Sequence, residues 1–405
     1  MSERFLVTVV VPTHNRSKYA IPCVQSLLEI KSERLQVVVH DTSNDECDLA
    51  GWAATQNDSR LVYIHWKDRL SMTENHERAI ALAEGLYVCL IGDDDTVSEK
   101  IIDVAEYAES ENLDMITPQV KAFYYWPDFR TKFYGAAHAG RIYLDDFTRS
   151  TQILDVSTRL DDALHQACQG TDALPKLYHG LVKRSLLDQL RERSGKIFFG
   201  TSPDMSASVS LAVVGTSYCL IDFPFTMPGG GGGSNSGRSA MGKHKGDLKN
   251  DPHMKPFKDL RWPAELPMFF SVETVWAHAA WMTLEGLKDA QRHSRFNLAR
   301  LYALCLFYHR DYAAEIFSAR RAALAQGNSG VGPIRMISEF ATVVTTYAVN
   351  RLKRLMKPNA SNGREVVAVV DDVQLARQAL DLRLSSRLAG DDICKKSVSV
   401  IQSKN

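Results

Sequence analysis

Three consecutive carboxylates, Asp93-Asp94-Asp95, stand directly after Leu86-Tyr87-Val88-Cys89-Leu90-Ile91 and Gly92. The apolar run reads as a buried strand, so the acids fall at its carboxyl end. That is the edge at which open α/β sheets bind ligands. Adjacent like charges repel one another unless a cation or donor hydrogens neutralise them. In an extended segment Asp93 and Asp95 project to one side and Asp94 to the other. Hard oxygen ligands of this kind suit magnesium or manganese. The competing reading is an acidic turn leading into a helix near Ser98.

The surrounding pattern supports the sheet. Leu6–Val11, Leu35–His40 and Leu61–Trp66 read as strands, while Ser17–Ile30, Thr73–Glu84 and Ser98–Glu111 have helical periodicity. Alternation of this kind predicts a mostly parallel, Rossmann-like α/β sheet flanked by helices. Phe123-Tyr124-Tyr125-Trp126 and Phe133-Tyr134 suggest a hairpin. Pro228 and the run Gly229–Gly233 show no phosphate-loop spacing and read as a flexible loop, either a plain linker or a lid. From Trp262 onward helix formers dominate. The expected organisation is therefore residues 1–228 as an α/β unit, 229–261 as a glycine-rich, basic loop, and 262–405 as a helical region. Within it, Ile334–Met356 is amphipathic and basic at its end, suited to packing inside that region, to self-association or to an anionic membrane surface.

Composition narrows the classes. The 48 basic residues balance 48 acidic ones, which argues against a general nucleic-acid binder. Seven scattered cysteines without a Cys-x-x-Cys pair fit neither a disulfide frame nor a zinc site. Phe5–Val11 is too short for a secretory signal, and no apolar run reaches the roughly 18 residues that span a bilayer. The expectation is a cytoplasmic protein, soluble or peripheral at the inner face of a membrane.

Four further segments line up with the acid triplet: Pro12-Thr13-His14-Asn15-Arg16 after the first strand, Asp41-Thr42-Ser43 after the second, Ser71–Asn75 opening a helix, and Ser202-Pro203-Asp204-Met205. This ordered set resembles the family-two glycosyltransferases of the GT-A fold, inverting enzymes that include bacterial surface-polysaccharide enzymes. The resemblance covers residues 5 to 225 and leaves the helical region unexplained. It implies transfer of a sugar from a nucleoside-diphosphate sugar, typically of uridine, to a saccharide or lipid-linked saccharide, with a divalent cation. Pro12, Thr13, Asn15 and Arg16 would hold base and phosphate, Asp41 and Ser43 the base, and Asn75 the ribose and sugar. Asp93 would be the ribose-side acid of a DxD-like motif and Asp95 the metal-side acid, with Asp94 an alternative. Asp204 would be the acceptor's general base, its other reading being a helix cap. His179 would line the sugar pocket, and Arg238 and His244 could close over the diphosphate. A nucleotidyltransferase and a non-catalytic sugar-nucleotide or glycan-binding subunit are the alternatives.

Overall fold

The computed structural model describes residues 5–44, 48–234, 237–238, 241, 245–257, 260–356, 364–388 and 392–393. Strands and helices alternate through β1 (Val7–Thr13), α1 (Ser17–Leu28), β2 (Leu35–Asp41), α2 (Leu49–Thr55), β3 (Leu61–His65), α3 (Met72–Ile80) and β4 (Tyr87–Leu90). A short β5 (Thr96–Val97) and α4 (Ile101–Ser110) lead to β6 (Met115–Pro118), β7 (Ala122–Tyr125), β8 (Arg141–Leu144) and β9 (Thr151–Asp155). Then come α5 (Val156–His165), β10 (Leu181–Lys183), α6 (Arg184–Ser194), α7 (Pro203–Val214) and β11 (Ser217–Ile221).

Eight of these strands form one mixed sheet in the order β3-β2-β1-β4-β10-β6-β11-β9. β1, β2, β3 and β4 run parallel, whereas β10 and β9 are antiparallel to their neighbours. This is a mixed α/β architecture with a large sheet flanked by helices. β1, β2 and β4 are buried throughout because both sheet faces are covered. Their side chains alternate between two cores: Val10, Val38 and Val88 enter one, while Val9, Val37 and Cys89 enter the other.

After the large sheet come β12 (Thr226–Met227), β13 (Gly229–Gly230), β14 (Lys245–Gly246) and β15 (Phe270–Ser271). The helices α8 (Val272–Gly286), α9 (Ala290–Ser294), α10 (Leu298–Tyr308), α11 (Ala313–Ala325) and α12 (Pro333–Leu355) follow. The chain closes with β16 (Glu365–Val369) and α13 (Val373–Leu388). α8, α10 and α11 extend the core on the Val10 side, and Leu380 and Leu384 of α13 join the core on the other. Arg377 of α13 pairs with Glu29 at 2.8 Å, which ties the last helix to the end of α1.

Three sequence expectations are revised. The aromatic segment does form a strand, but β7 pairs with β8, and Phe133 and Tyr134 lie exposed between them. β16 was hidden inside a span read as helical and adds to β8 in a small sheet, β13-β7-β8-β16. Gly229 and Gly230 form β13 against β7, so this part of the glycine run is an ordered strand and not a flexible loop.

Candidate active site

The loops after β1 and β4, the start of α3 and the glycine run enclose a cavity of about 650 Å³. The pairings of β1 with β2 and β4 bring these strand ends to one edge. α3 begins with a reciprocal capping box between Ser71 and Glu74, which fixes the next residue, Asn75, at the cavity wall. Asn75 Nδ2 donates to the Thr13 carbonyl at 3.1 Å and its Oδ1 lies 2.6 Å from His40 Nδ1.

All three acids line the cavity and are buried. Thr13 Oγ1 donates to Asp93 Oδ2 at 2.7 Å, and Arg16 Nε lies 2.7 Å from Asp93 Oδ1. The same guanidinium reaches Asp94 Oδ2 at 3.1 Å, where the Gly231 amide also donates at 2.9 Å. Asp95 is surrounded by four donors. Oδ1 accepts from the Gly229 amide at 2.6 Å; Oδ2 accepts from the Gly92 amide at 2.6 Å and from Tyr178 Oη and His179 Nε2, each at 3.0 Å.

These environments separate three chemically identical groups. Burial raises the Asp93 carboxyl, with Arg16 and Thr13 opposing it. Burial pushes Asp94 up to about 7 against the pull of Arg16. At Asp95 burial acts in the same direction, but His179 and the amides of Gly229 and Gly92 outweigh it and hold the carboxyl below its ordinary value. Burial and the neighbouring acids raise Tyr178, which therefore stays a donor.

A carboxylate is only an acceptor, so His179 donates Nε2–H to Asp95. Its Nδ1 is buried without a hydrogen-bond partner among the described residues. His179 also holds a left-handed backbone, φ +65°, an uncommon conformation for a residue other than glycine.

The donor set bears directly on a divalent ion. Among the described residues no group of three or more His, Cys, Asp or Glu forms a metal cluster. Asp95, expected as the metal-side acid, has one protein donor on Oδ1 and three on Oδ2. Asp94 Oδ1 accepts no hydrogen bond among the described residues, and Asp93 stands beside it. Asp93 has a donor on each oxygen, Thr13 and Arg16, so Asp94 Oδ1 is the oxygen of the triplet open to a magnesium-type ion, which takes one or two carboxylates together with substrate phosphates and water.

The remaining expected residues divide. Pro12, Thr13, Arg16, His179 and Arg238 line the cavity, the last held by Asp251 at 2.7 Å. Asn15, Asp41 and Ser43 are not among its lining residues; they knit the first two loops together behind it. Asn15 donates its amide to Ser43 Oγ at 2.7 Å, and Asp41 accepts from the Ser43 amide and Tyr63 Oη at 2.8 and 2.9 Å. His244 lies outside the described residues.

Asp204 does not reach the cavity. It occupies the first turn of α7, accepting from Ser202 Oγ and, at 2.8 Å, from the Met205 amide. Pro252, His253 and Pro256 line the wall instead. His253 Nε2 lies 3.0 Å from the Thr201 carbonyl and feels the charge of Asp204.

Sequence reasoning did not assign a role to Tyr178, His253 or the amides of Gly229 and Gly231. The glycine run was a usable signal. A Cβ on Gly229 would sit 1.8 Å from the Asp94 carbonyl oxygen, so only glycine permits this approach.

With this geometry the chain can be set beside known proteins. Residues 8–159 match the model of Glycosyl transferase family 2. The matched segment holds the first two loops, α3 and the acid triplet.

Two curated relatives agree with it over shorter spans. Glycosyltransferase GlyG of Streptococcus pneumoniae serotype 4 is 27% identical over 118 residues, covering 29% of this chain and 38% of that protein. The putative colanic acid biosynthesis glycosyl transferase WcaA of Escherichia coli K12 is 32% identical over 96 residues, covering 24% of this chain and 34% of that protein. The chain thus spans little more than a third of the length of either relative. Residues 1–349 of S. aureus TarS, crystallised with UDP-GlcNAc, give a TM-score of 0.44 at 15% identity, over 85% of this chain and 92% of that one.

Proposed function

We propose that this chain is an inverting glycosyltransferase that moves a sugar from a nucleoside-diphosphate sugar, a uridine diphosphate sugar by resemblance, to a saccharide or lipid-linked saccharide. Surface-polysaccharide assembly is the setting suggested by the family resemblance and by the name of one relative, a putative colanic acid biosynthesis glycosyl transferase. One observation carries the reading. The family-matched loops converge on a cavity where buried acids meet an arginine and backbone amides, a charge pattern suited to a diphosphate and its counter-ion.

In this reading Arg16 and Arg238 approach the diphosphate, Asp93 and Asn75 hold the ribose side, and Pro12 and Thr13 shape the floor. A divalent ion on Asp94 would act as a Lewis acid, offsetting charge on the leaving diphosphate. Asp95 positions His179 and the glycine run and does not hold the ion. Asp41, Ser43 and Asn15 fix the loop that faces the base. Asp204 remains the proposed base, and it reaches an acceptor hydroxyl only when the 252–256 segment withdraws. The 1–228 unit would supply the donor and acceptor site, with the helical region attached to it.

The test is thermal unfolding of the purified chain against a panel of nucleoside diphosphates, each with and without manganese. A ligand that binds only the folded state raises the melting temperature. Stabilisation by one nucleotide that requires the ion and is lost in Asp94→Ala supports the reading. Indifference to every nucleotide removes it.

A further inference from the structure

The helix α12 has an unusual environment. Every residue from Val344 to Lys353 is exposed, although Tyr347 touches Phe307 with ring centroids 5.1 Å apart. A helical stretch of this length is marginal in water without a surface to lie on. Ile334, Ile337, Val344, Leu352 and Leu355 recur along one face at helical spacing. Together with Met356 at the end, the four leucine and isoleucine side chains are between 63 and 84% exposed.

A second segment reaches the same place. Arg354 Nη2 donates to Tyr134 Oη at 3.0 Å, which sets the end of α12 beside the loop Arg130-Thr131-Lys132-Phe133-Tyr134. Phe133 at the tip of that loop is 82% exposed. Charge is one-sided here. From Phe340 to Met356 the sequence has no Asp or Glu but carries Arg351, Lys353 and Arg354, and the loop adds Arg130 and Lys132. Among the described residues no helix is long and apolar enough to cross a membrane.

We propose that α12 and the Phe133 loop together form a docking surface for an anionic lipid bilayer, with Phe133, Leu352, Leu355 and Met356 entering the headgroup region and the basic residues meeting lipid phosphates. Exposed apolar side chains rimmed by cations suit that interface. A second copy of this chain is the competing occupant, but a two-fold contact through this end would set the same cations against one another. A run of ring contacts also leads from the surface to the cavity. Tyr134 packs on His138, His138 on Tyr125, and Tyr125 on Phe123, which lines the cavity. If the glycosyltransferase reading holds, the bilayer is therefore the source of the acceptor, a saccharide carried on a lipid.

The experiment is flotation of the full chain with vesicles of phosphatidylcholine alone or of equal parts phosphatidylcholine and phosphatidylglycerol. Binding to the anionic vesicles only, weakened about thirtyfold in the double variant Arg351→Gln, Lys353→Gln, is expected. Phe133→Ser should weaken it as well without lowering the melting temperature, because the side chain makes little contact with the fold. Failure to float with anionic vesicles, or equal binding by the charge variant, overturns the proposal. A dimer in solution that Leu352→Asn converts to a monomer with no vesicle affinity also overturns it, in favour of the second copy. None of these readouts contains nucleotide, so they stand or fall separately from the donor site.

Discussion

Replacing Asp95 with asparagine separates two accounts of the acid triplet by the sign of its effect. If Asp95 were there to hold a cation, the ion-free protein would contain three repelling carboxylates. Removing one would then leave stability unchanged or raise it. The structure instead gives Asp95 four donors: two amides, a tyrosine hydroxyl and a histidine ring. Asparagine offers one acceptor oxygen and turns an N–H toward groups that are themselves donors. Breaking a buried, hydrogen-bonded charge pair costs about 3–5 kcal/mol. An unfolding entropy near 2.1 cal/mol/K per residue over 405 residues translates this into a fall of about 4–6 °C if the chain melts as one unit. The assay is a melting curve of Asp95→Asn and wild type at neutral pH with a chelator and no nucleotide. A variant that melts with or above wild type would refute the reasoning.

Three other outcomes are expected. Asp94→Asn should flatten the pH dependence of stability: a carboxyl raised from 3.8 to about 7 favours the folded state when protonated, so wild-type stability drops as pH climbs through that window. Melting temperatures measured across the same window check it. Gly229→Ala should abolish nucleotide-dependent stabilisation, since its Cβ would collide with the Asp94 carbonyl, whereas Gly233→Ala, whose Cβ meets nothing nearer than 3.7 Å, should retain it. Asp204→Asn should leave donor binding intact and slow transfer by about 10²–10⁴-fold, read from initial rates beside a binding isotherm.

The parallel sheet was legible because its strands are continuous apolar runs, and such runs occur where both faces are covered. The convergence of Thr13, Asn75 and Asp93 was legible for the same reason, since parallel strands end on one edge. What the residues could not reveal was how three adjacent acids share their neighbours. That depends on Gly229 and Gly231, more than 130 positions downstream, and glycines carry no side chain to announce a contact. β16 was missed because Glu365–Val369 is short and partly exposed, and it becomes a strand only where β8 offers an edge. Asp204 was legible as the start of α7, but the segment around His253 that covers the cavity wall beside it was not, because nothing in its residues links it to that helix.

The pairing of Gly229 with Asp95 has a consequence for how the molecule comes into being. The acids are made early and their neutralising amides late, 134 positions apart. During synthesis the family-matched segment emerges with Arg16, Thr13 and the Gly92 amide beside its carboxylates but without the amides of Gly229 and Gly231, and loop closure over that distance must precede their contribution. A fragment ending before the glycines should therefore assemble its sheet around an unfinished electrostatic centre. The cavity edge is completed only after the ribosome has delivered more than half of the chain.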